Sequence, residues 1–390
     1  MEENDITTES TPLEMPAKLR VGITHGDING ISYELLLKTF DDPAIAQELF
    51  TPVIYGSTRI AAAYRKMLEL PEFKWNKIAD AEEADPSRVN IINVVAEDTP
   101  LATGTATPEA GQAAFAALER ATADLKEGKI DVLVTCPINK NAIHSEEFSF
   151  PGHTEYLEDR LSDPENPSKA MMIMCGRGIR VALVTIHDPI ARVAELITKE
   201  SVADAIERFA ATLVKDFGVH GPRIAVLGLN PHAGDAGVIG TEEQDIIIPA
   251  IEEANRRHLV AFGPYAADGF WASGAYTRFD GVLAIYHDQG LIPFKMIADT
   301  EGVNYTAGLP FIRTSPDHGT AFDIAGRGVA DPRSLREAIY TAIDIYRARQ
   351  REEECTRSPL RKQQPERRRK RQNEGGATEN PEQTSAAATE

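Results

Sequence analysis

Cysteine is scarce. The chain holds three, at positions 136, 175 and 355, an odd number with no CxxC spacing. That count argues against a disulfide framework or a zinc ribbon and fits a reducing compartment. Long apolar runs are also missing, and nothing approaches the ~20 consecutive apolar residues of a membrane span. The first 17 residues, MEENDITTESTPLEMPA, are acidic and hydroxyl-bearing with no apolar centre, so they do not read as a signal peptide. Positive charge is in deficit: 41 basic residues face 60 acidic ones, a net charge of −19. Such a balance disfavours general binding to nucleic acid or anionic membrane and favours solubility. There is no GxGxxG pattern, so the Rossmann fingerprint is absent, and no internal repeat is visible. A cytoplasmic enzyme is the default expectation, and 390 residues suffice for one large α/β unit or two lobes.

What is present is a repeated arrangement of apolar run and histidine. Val282-Leu283-Ala284-Ile285 leads into Tyr286-His287-Asp288-Gln289-Gly290, Ile179 to Ile186 leads into His187-Asp188-Pro189, and Ile224 to Leu229 leads into Asn230-Pro231-His232-Ala233-Gly234. Three strand-like runs thus each deliver a histidine at the carboxyl end, the edge where open α/β sheets bind ligands. Three imidazoles arriving there can converge on one metal ion. Taken singly, a histidine after a strand is more often a loop or cap residue than a ligand.

Further strands are expected at Arg20 to Thr24, Pro52 to Tyr55, Val89 to Val95 and Ile130 to Thr135, with an alanine-rich helix over Pro108 to Lys126. Strands alternating with helices predict a largely parallel sheet. The loop His25-Gly26-Asp27-Ile28-Asn29-Gly30 before the first helix has two readings, backbone N–H groups facing an anion or a plain βα turn. Cys136 is read as a buried or lining residue, because no base partner for a thiol nucleophile is evident. His153 and Thr154 could hydrogen-bond a substrate oxygen, with helix capping as the alternative for Thr154. Asp188-Pro189 and Asp331-Pro332 suit N-cap and N1 positions, Thr241 with Gln244 suits a capping box, and Pro249 is expected to end or kink its helix. Arg313 suits bidentate contact with a carboxylate or phosphate, a structural ion pair being the alternative. The predicted organisation is a disordered acidic leader over 1–18, one catalytic unit over 19–351 and a disordered charged tail over 352–390, which includes Arg367-Arg368-Arg369-Lys370-Arg371.

Several stretches together resemble the 4-hydroxythreonine-4-phosphate dehydrogenase family of vitamin B6 biosynthesis: ITHGDINGI at 23–31, GHTEYL at 152–157, GLNPHAG at 228–234, GTEEQD at 240–245, YHDQGL at 286–291 and VNYTAGLPFIRTSPDHGTAFDIAG at 303–326. The resemblance spans roughly residues 20 to 350. It implies an α/β fold like that of isocitrate and isopropylmalate dehydrogenases, two α/β lobes with a mostly parallel central sheet and an interlobe cleft at a dimer interface, using NAD without a Rossmann motif. It further implies that His187, His232 and His287 bind a divalent metal (Zn, Mn, Mg or Co), one of them donated by the partner subunit. His153, Thr154, Lys295, Asn304 and Arg313 would contact a small phosphorylated substrate. Lys295 is the candidate to take the substrate's hydroxyl proton or hold the developing alkoxide, with Asp288 orienting a metal ligand. The activity implied is NAD-dependent oxidation and decarboxylation of 4-phosphooxy-L-threonine. Alternatives are a sister dehydrogenase for threonate or erythronate 4-phosphate, a zinc hydrolase with Asp288 as base, and a scaffold acting through the basic tail. The first loop departs from the family's TPGDPAGIGPE pattern: His25 and Tyr33 stand where prolines are usual.

Overall fold

Strand β1, Arg20–Thr24, is buried on both faces from Val21 onward, as befits a parallel strand covered by helices above and below. In the computed structural model, which describes residues 18–357 except 43, 146–147, 151 and 163–167, it starts an alternation of strand and helix. There follow α1 (Ser32–Thr39), β2 (Thr51–Gly56), α2 (Thr58–Met67), β3 (Asn76–Lys77), β4 (Asn90–Asn93), α3 (Pro108–Lys126), β5 (Val132–Thr135), α4 (Lys140–Ile143) and α5 (His153–Leu161). The chain continues through β6 (Met171–Gly176), β7 (Ile179–Leu183), α6 (Ile190–Leu196), α7 (Lys199–Lys215), β8 (Arg223–Leu227), α8 (Ile248–Arg256), β9 (Val260–Tyr265) and α9 (Ala267–Ala272). It ends with β10 (Gly281–Ala284), α10 (His287–Ala298), β11 (Val303–Ala307), β12 (Arg313–Pro316) and α11 (Arg333–Arg357). The acidic leader and basic tail expected from sequence fall outside the described residues, save that α11 carries the ordered chain past 352 to Arg357.

All twelve strands form one sheet in the order β3-β4-β2-β1-β5-β12-β11-β6-β7-β10-β8-β9. From β3 to β12 the pairings are parallel, and from β7 to β9 they are parallel again. Between these halves, β11 pairs antiparallel with β12 and β6, and β6 pairs antiparallel with β7. The two parallel halves therefore point in opposite directions, and the antiparallel strands join them.

Side chains alternate between faces along a strand. In the joining strands one set, including Val303, Tyr305, Ile173 and Cys175, packs into the main core. The other set forms two rows across the sheet: Ser315 opposite Asn304 opposite Met174, and Arg313 opposite Thr306 opposite Met172. The second face becomes the floor of the pocket described below.

Some local expectations change. α3 starts and ends where its sequence predicts, with Thr107 accepting from the Ala110 amide as N-cap. Asp331 Oδ1 accepts from the Arg333 amide at the start of α11, at 3.0 Å. At α6, however, the N-cap position is Pro189 with no side-chain cap, so Asp188 does not serve. The Thr241–Gln244 capping box is replaced by Glu242 and Glu243, whose carboxylates accept from the Asn230 side chain at 2.7 and 2.9 Å. Pro249 interrupts its helix as expected: a π-helical turn over Glu243–Ile247 precedes it and α8 resumes at Ile248, since proline supplies no N–H to the preceding turn.

Candidate active site

His187, His232 and His287 follow β7, β8 and β10, which are adjacent in the sheet in the order β7-β10-β8 and run parallel. Sequence spacing alone did not reveal that adjacency. Two of the three imidazoles meet: the His187 and His287 rings lie 5.9 Å apart between centroids. His232 does not join them, and among the described residues no group of three His, Cys, Asp or Glu side chains is assembled to hold a metal ion. Among the described residues, then, the three strand ends do not meet within one chain. The cause is local: residues 232–236 all carry positive φ, from 43° to 79°, a left-handed turn that non-glycine residues adopt only at a cost. Glu243 holds this turn from beneath. Its Oε1 accepts from the Asn230 amide at 2.7 Å, and it lies against Gly234 so closely that a Cβ there would collide with Oε2.

His287 is the first residue of α10, not the last of a strand. Asp288 Oδ1 lies 2.8 Å from its Nδ1. A carboxylate can only accept, so Nδ1 carries the proton and Nε2 is left with its lone pair, the state in which imidazole ligates metals. Leu291 and Lys295 follow at one-turn spacing on the stripe of α10 that faces the pocket. α10 can lie this close to the sheet because Gly290 has no side chain: a Cβ there would stand 2.9 Å from both Ala284 Cβ and Val181 Cγ1.

The histidine pair opens onto a cavity of about 300 Å³ shared by His153, Lys140, Lys295, Asn304, Arg313 and the turn Asp317-His318-Gly319. Arg313 rises from the floor, buried, with Nε and Nη2 donating to Thr135 Oγ1 at 3.0 and 2.6 Å and Nη1 donating to Thr306 Oγ1 at 3.0 Å. Among the described residues it has no carboxylate at hydrogen-bond distance, which argues against the structural ion-pair reading. Burial lowers its pKa to about 10, so it remains cationic at neutral pH. His153 sits where burial, and then the charges of Arg313 and Lys140, push its pKa well below the usual imidazole value, so it is neutral. His187 is lowered too, first by burial and then by Lys140 and His287. Lys295 Nζ donates to the Asp317 carbonyl at 3.1 Å. Thr154 occupies the first turn of α5 without lining the cavity. It does not cap the helix either, since the N-cap position is Gly152.

Among the described residues, three polar atoms on cavity-lining residues are buried without a hydrogen-bond partner: His153 Nε2, Asn304 Oδ1 and His318 Nε2. Buried polar atoms are nearly always paired, so a cluster of orphans around one cavity is what a bound polar molecule would satisfy. Sequence reasoning missed His318 and Lys140. His318 lies within the matched 303–326 stretch, but nothing in its spacing distinguishes it. Its Nδ1 is 3.0 Å from the Gly319 carbonyl, which fixes the proton there and leaves Nε2 as acceptor. Cys136 also lines the cavity, and burial raises its thiol pKa to about 12, so it is no nucleophile at neutral pH.

The first loop is a support, not an anion cradle. Its amide groups are used internally: Asn29 N donates to Asp27 Oδ1, Gly30 N to Asp27 O, and Ile31 N to the Thr320 carbonyl. The Asn29 side chain also donates to Thr105 O at 2.9 Å and accepts from the Ala102 amide at 2.9 Å. This buried loop therefore ties the 101–107 segment to the turn that walls the cavity.

A mostly parallel α/β sheet with a histidine pair beside a cation-lined pocket defines a small-molecule enzyme of the α/β class. The family model described as pyridoxal phosphate biosynthetic protein PdxA matches residues 48–342, and the chain belongs to that family. It is 54% identical over 351 residues to the 4-hydroxythreonine-4-phosphate dehydrogenase of Bacteroides thetaiotaomicron, covering 90% of this chain and 95% of the relative. The enzyme of the same name from Prosthecochloris aestuarii is 42% identical, with 83% and 96% covered. A relative from Oceanobacillus iheyensis with a provisional D-threonate 4-phosphate dehydrogenase name is 37% identical, with 85% and 99% covered. Among solved structures, the 4-hydroxythreonine-4-phosphate dehydrogenase of Klebsiella pneumoniae superposes with a TM-score of 0.72 at 32% identity, covering 85% of this chain and 99% of that one. The relatives are dehydrogenases, and the chain is accordingly an oxidoreductase. No helix among the described residues is long and apolar enough to cross a membrane.

Proposed function

We propose that the chain catalyses the NAD-dependent, divalent-metal-dependent oxidation and decarboxylation of 4-phosphooxy-L-threonine to 3-amino-2-oxopropyl phosphate. The observation that carries this reading is the pocket itself, where Arg313 and Lys295 supply positive charge beside the His187–His287 pair and, among the described residues, three unpaired polar atoms. A hydroxy acid with a phosphate at one end and a carboxylate at the other matches that lining in charge and size.

The donor set fits a divalent metal. His187 and His287 would hold it from one chain, with Asp288 fixing the His287 tautomer, and His232 of a second copy would complete the set. When bound, the ion would supply Lewis acidity at the substrate's hydroxyl and NAD would supply the hydride acceptor. A homodimer with a shared site accounts for a histidine held on a strained turn away from its own cavity. Each histidine segment also presents apolar side chains to solvent: Ile190 after His187, Val238 and Ile239 after His232, and Ile292 and Met296 on α10. Such side chains beside a ligand site suit burial against another protein surface.

Within the chain, Arg313 is preset by two threonine hydroxyls to grip an anionic oxygen, and His153 and Asn304 complete the substrate's hydrogen bonds. Lys295 holds the oxygen that turns anionic as the hydroxyl proton leaves, or takes that proton. The oxidised product is a β-keto acid, which loses CO₂ and regains a proton at carbon.

The sister reading, a threonate or erythronate 4-phosphate dehydrogenase, draws on the Oceanobacillus relative. A substrate panel separates the two: NADH formation is followed with each phosphorylated acid in the presence of Zn, Mn, Mg or Co, before and after chelation. 4-Phosphooxy-L-threonine should give the highest kcat/KM, and no NADH with it under any metal would sink the proposal.

A further inference from the structure

The geometry points to Lys140 as a further substrate-binding residue, gripping an anionic oxygen of the substrate between His153 and the His187–His287 pair. This rests on the reading of the cavity as the site of a phosphorylated hydroxy acid. Lys140 is the first residue of α4 and lines the cavity. Its backbone is fixed: the Asn139 side chain accepts from the Asn141 and Ala142 amides at 3.1 and 2.9 Å, and α4 lies so close to α3 that a Cβ on Gly111 would collide with the Ala142 backbone. Its side chain reaches over the turn that carries His153, with Cε 3.9 Å from where a Cβ on Gly152 would stand. From there its charge acts on both His153 and His187, disfavouring protonation of each.

Among the described residues, Lys140 makes no hydrogen bond and no ion pair, unlike the other two cations of the cavity. Arg313 spends donors on Thr135 and Thr306, and Lys295 spends one on Asp317 O. All three N–H donors of the Lys140 ammonium are therefore available. A phosphate monoester carries about −1.5 to −2 at neutral pH and a carboxylate one more, so the substrate offers more anionic oxygens than Arg313 and Lys295 alone can engage, and a free ammonium beside them supplies a further charge-assisted donor. The ligand it recognises is an anionic oxygen, from the phosphate or from the carboxylate end.

The test uses the full chain and two probes without coenzyme, inorganic phosphate and L-malate, a hydroxy acid lacking phosphate. Titration calorimetry on wild type, Lys140→Met and Lys140→Arg should show Lys140→Met binding one probe at least about tenfold more weakly, the loss expected for a charge-assisted hydrogen bond. Lys140→Arg should recover most of that affinity, and unchanged thermal midpoints are expected because the side chain has no partner to lose. Loss for phosphate assigns the phosphate end, and loss for malate assigns the carboxylate end. In turnover, KM for the phosphorylated substrate should rise in Lys140→Met while KM for NAD stays put. Equal probe affinities in wild type and Lys140→Met, or a wild type that binds neither probe, would overturn the assignment. The outcome is separable from the proposed activity: a chain inactive on 4-phosphooxy-L-threonine whose Lys140→Met variant still loses probe affinity refutes the activity and keeps the subsite.

Discussion

His25 stands where the family has proline, and its burial makes a quantitative prediction about acid stability. The imidazole is fully buried, with Nε2 3.2 Å from the Ala113 carbonyl and its ring 5.5 Å from that of Tyr33. Because a carbonyl only accepts, Nε2 carries the proton, and a second proton would have to enter at Nδ1, which is buried without a partner. Burial accordingly lowers the pKa from 6.5 to about 4. Between those values the unfolded chain binds the proton that the folded chain refuses, so stability is complete above about pH 7 and falls as pH drops through 6.5 toward 4. A separation of about two to three pH units corresponds to roughly 3 kcal/mol in full, of which about 2 kcal/mol is lost by pH 5. Urea unfolding of wild type and His25→Gln at pH 8 and pH 5 measures it. Glutamine can still donate to Ala113 but does not titrate, so the variant should lose about 2 kcal/mol less than wild type over this interval. All other groups are common to the two proteins, so their contributions cancel in the difference. Equal losses would show that His25 is not held neutral by its surroundings.

Arg313→Met removes a buried cation and leaves Thr135 and Thr306 without their donor; KM for the phosphorylated substrate should rise roughly ten- to hundredfold with little change in KM for NAD, measured by initial rates. Gly290→Ala places a methyl against Ala284 and Val181; overpacking should cost about 1–3 kcal/mol in thermal unfolding and lower activity by lifting α10, which carries His287 and Lys295. Asp288→Ala removes the exposed carboxylate that accepts from His287 Nδ1; metal affinity by equilibrium dialysis should fall about 10- to 100-fold while the unfolding midpoint is unchanged. Unaltered metal affinity would detach Asp288 from the ligand set.

Much of the fold was legible because it depends on local periodicity. Buried parallel strands are short runs of β-branched and aliphatic residues, and every strand read from such a run is present to within two or three residues at its ends. α3 was bounded by signals at both ends, Pro108 just inside its start and Gly128 just beyond its end. The antiparallel strands β11 and β12 were less legible. Their side chains divide between a core face and a pocket face, so Arg313, Ser315, Asn304 and Thr306 break up the apolar pattern that would mark them as strands. The motif stretches identified the family and drew attention to His153, Lys295, Asn304 and Arg313, all of which line one cavity. Lys140 and His318 escaped notice because a lysine at a helix start and a histidine in a turn have many uses, and only the surrounding cavity selects among them.

By itself the sequence determined the alternation of strands and helices, the absence of a disulfide framework, the family and the positions of the strand-end histidines, since each is written in composition, period or contiguous motif. Tertiary structure decided what those residues meet. It made β7, β10 and β8 neighbours, brought His187 to His287 and turned His232 away on a left-handed loop. It also set Arg313 and Asn304 of the consecutive strands β12 and β11 on one face with Met172 and Met174 of β6, a strand far earlier in the chain. The physical reason is that pairing order and burial depend on contacts between distant segments, whereas a spacing rule sees only neighbours along the chain.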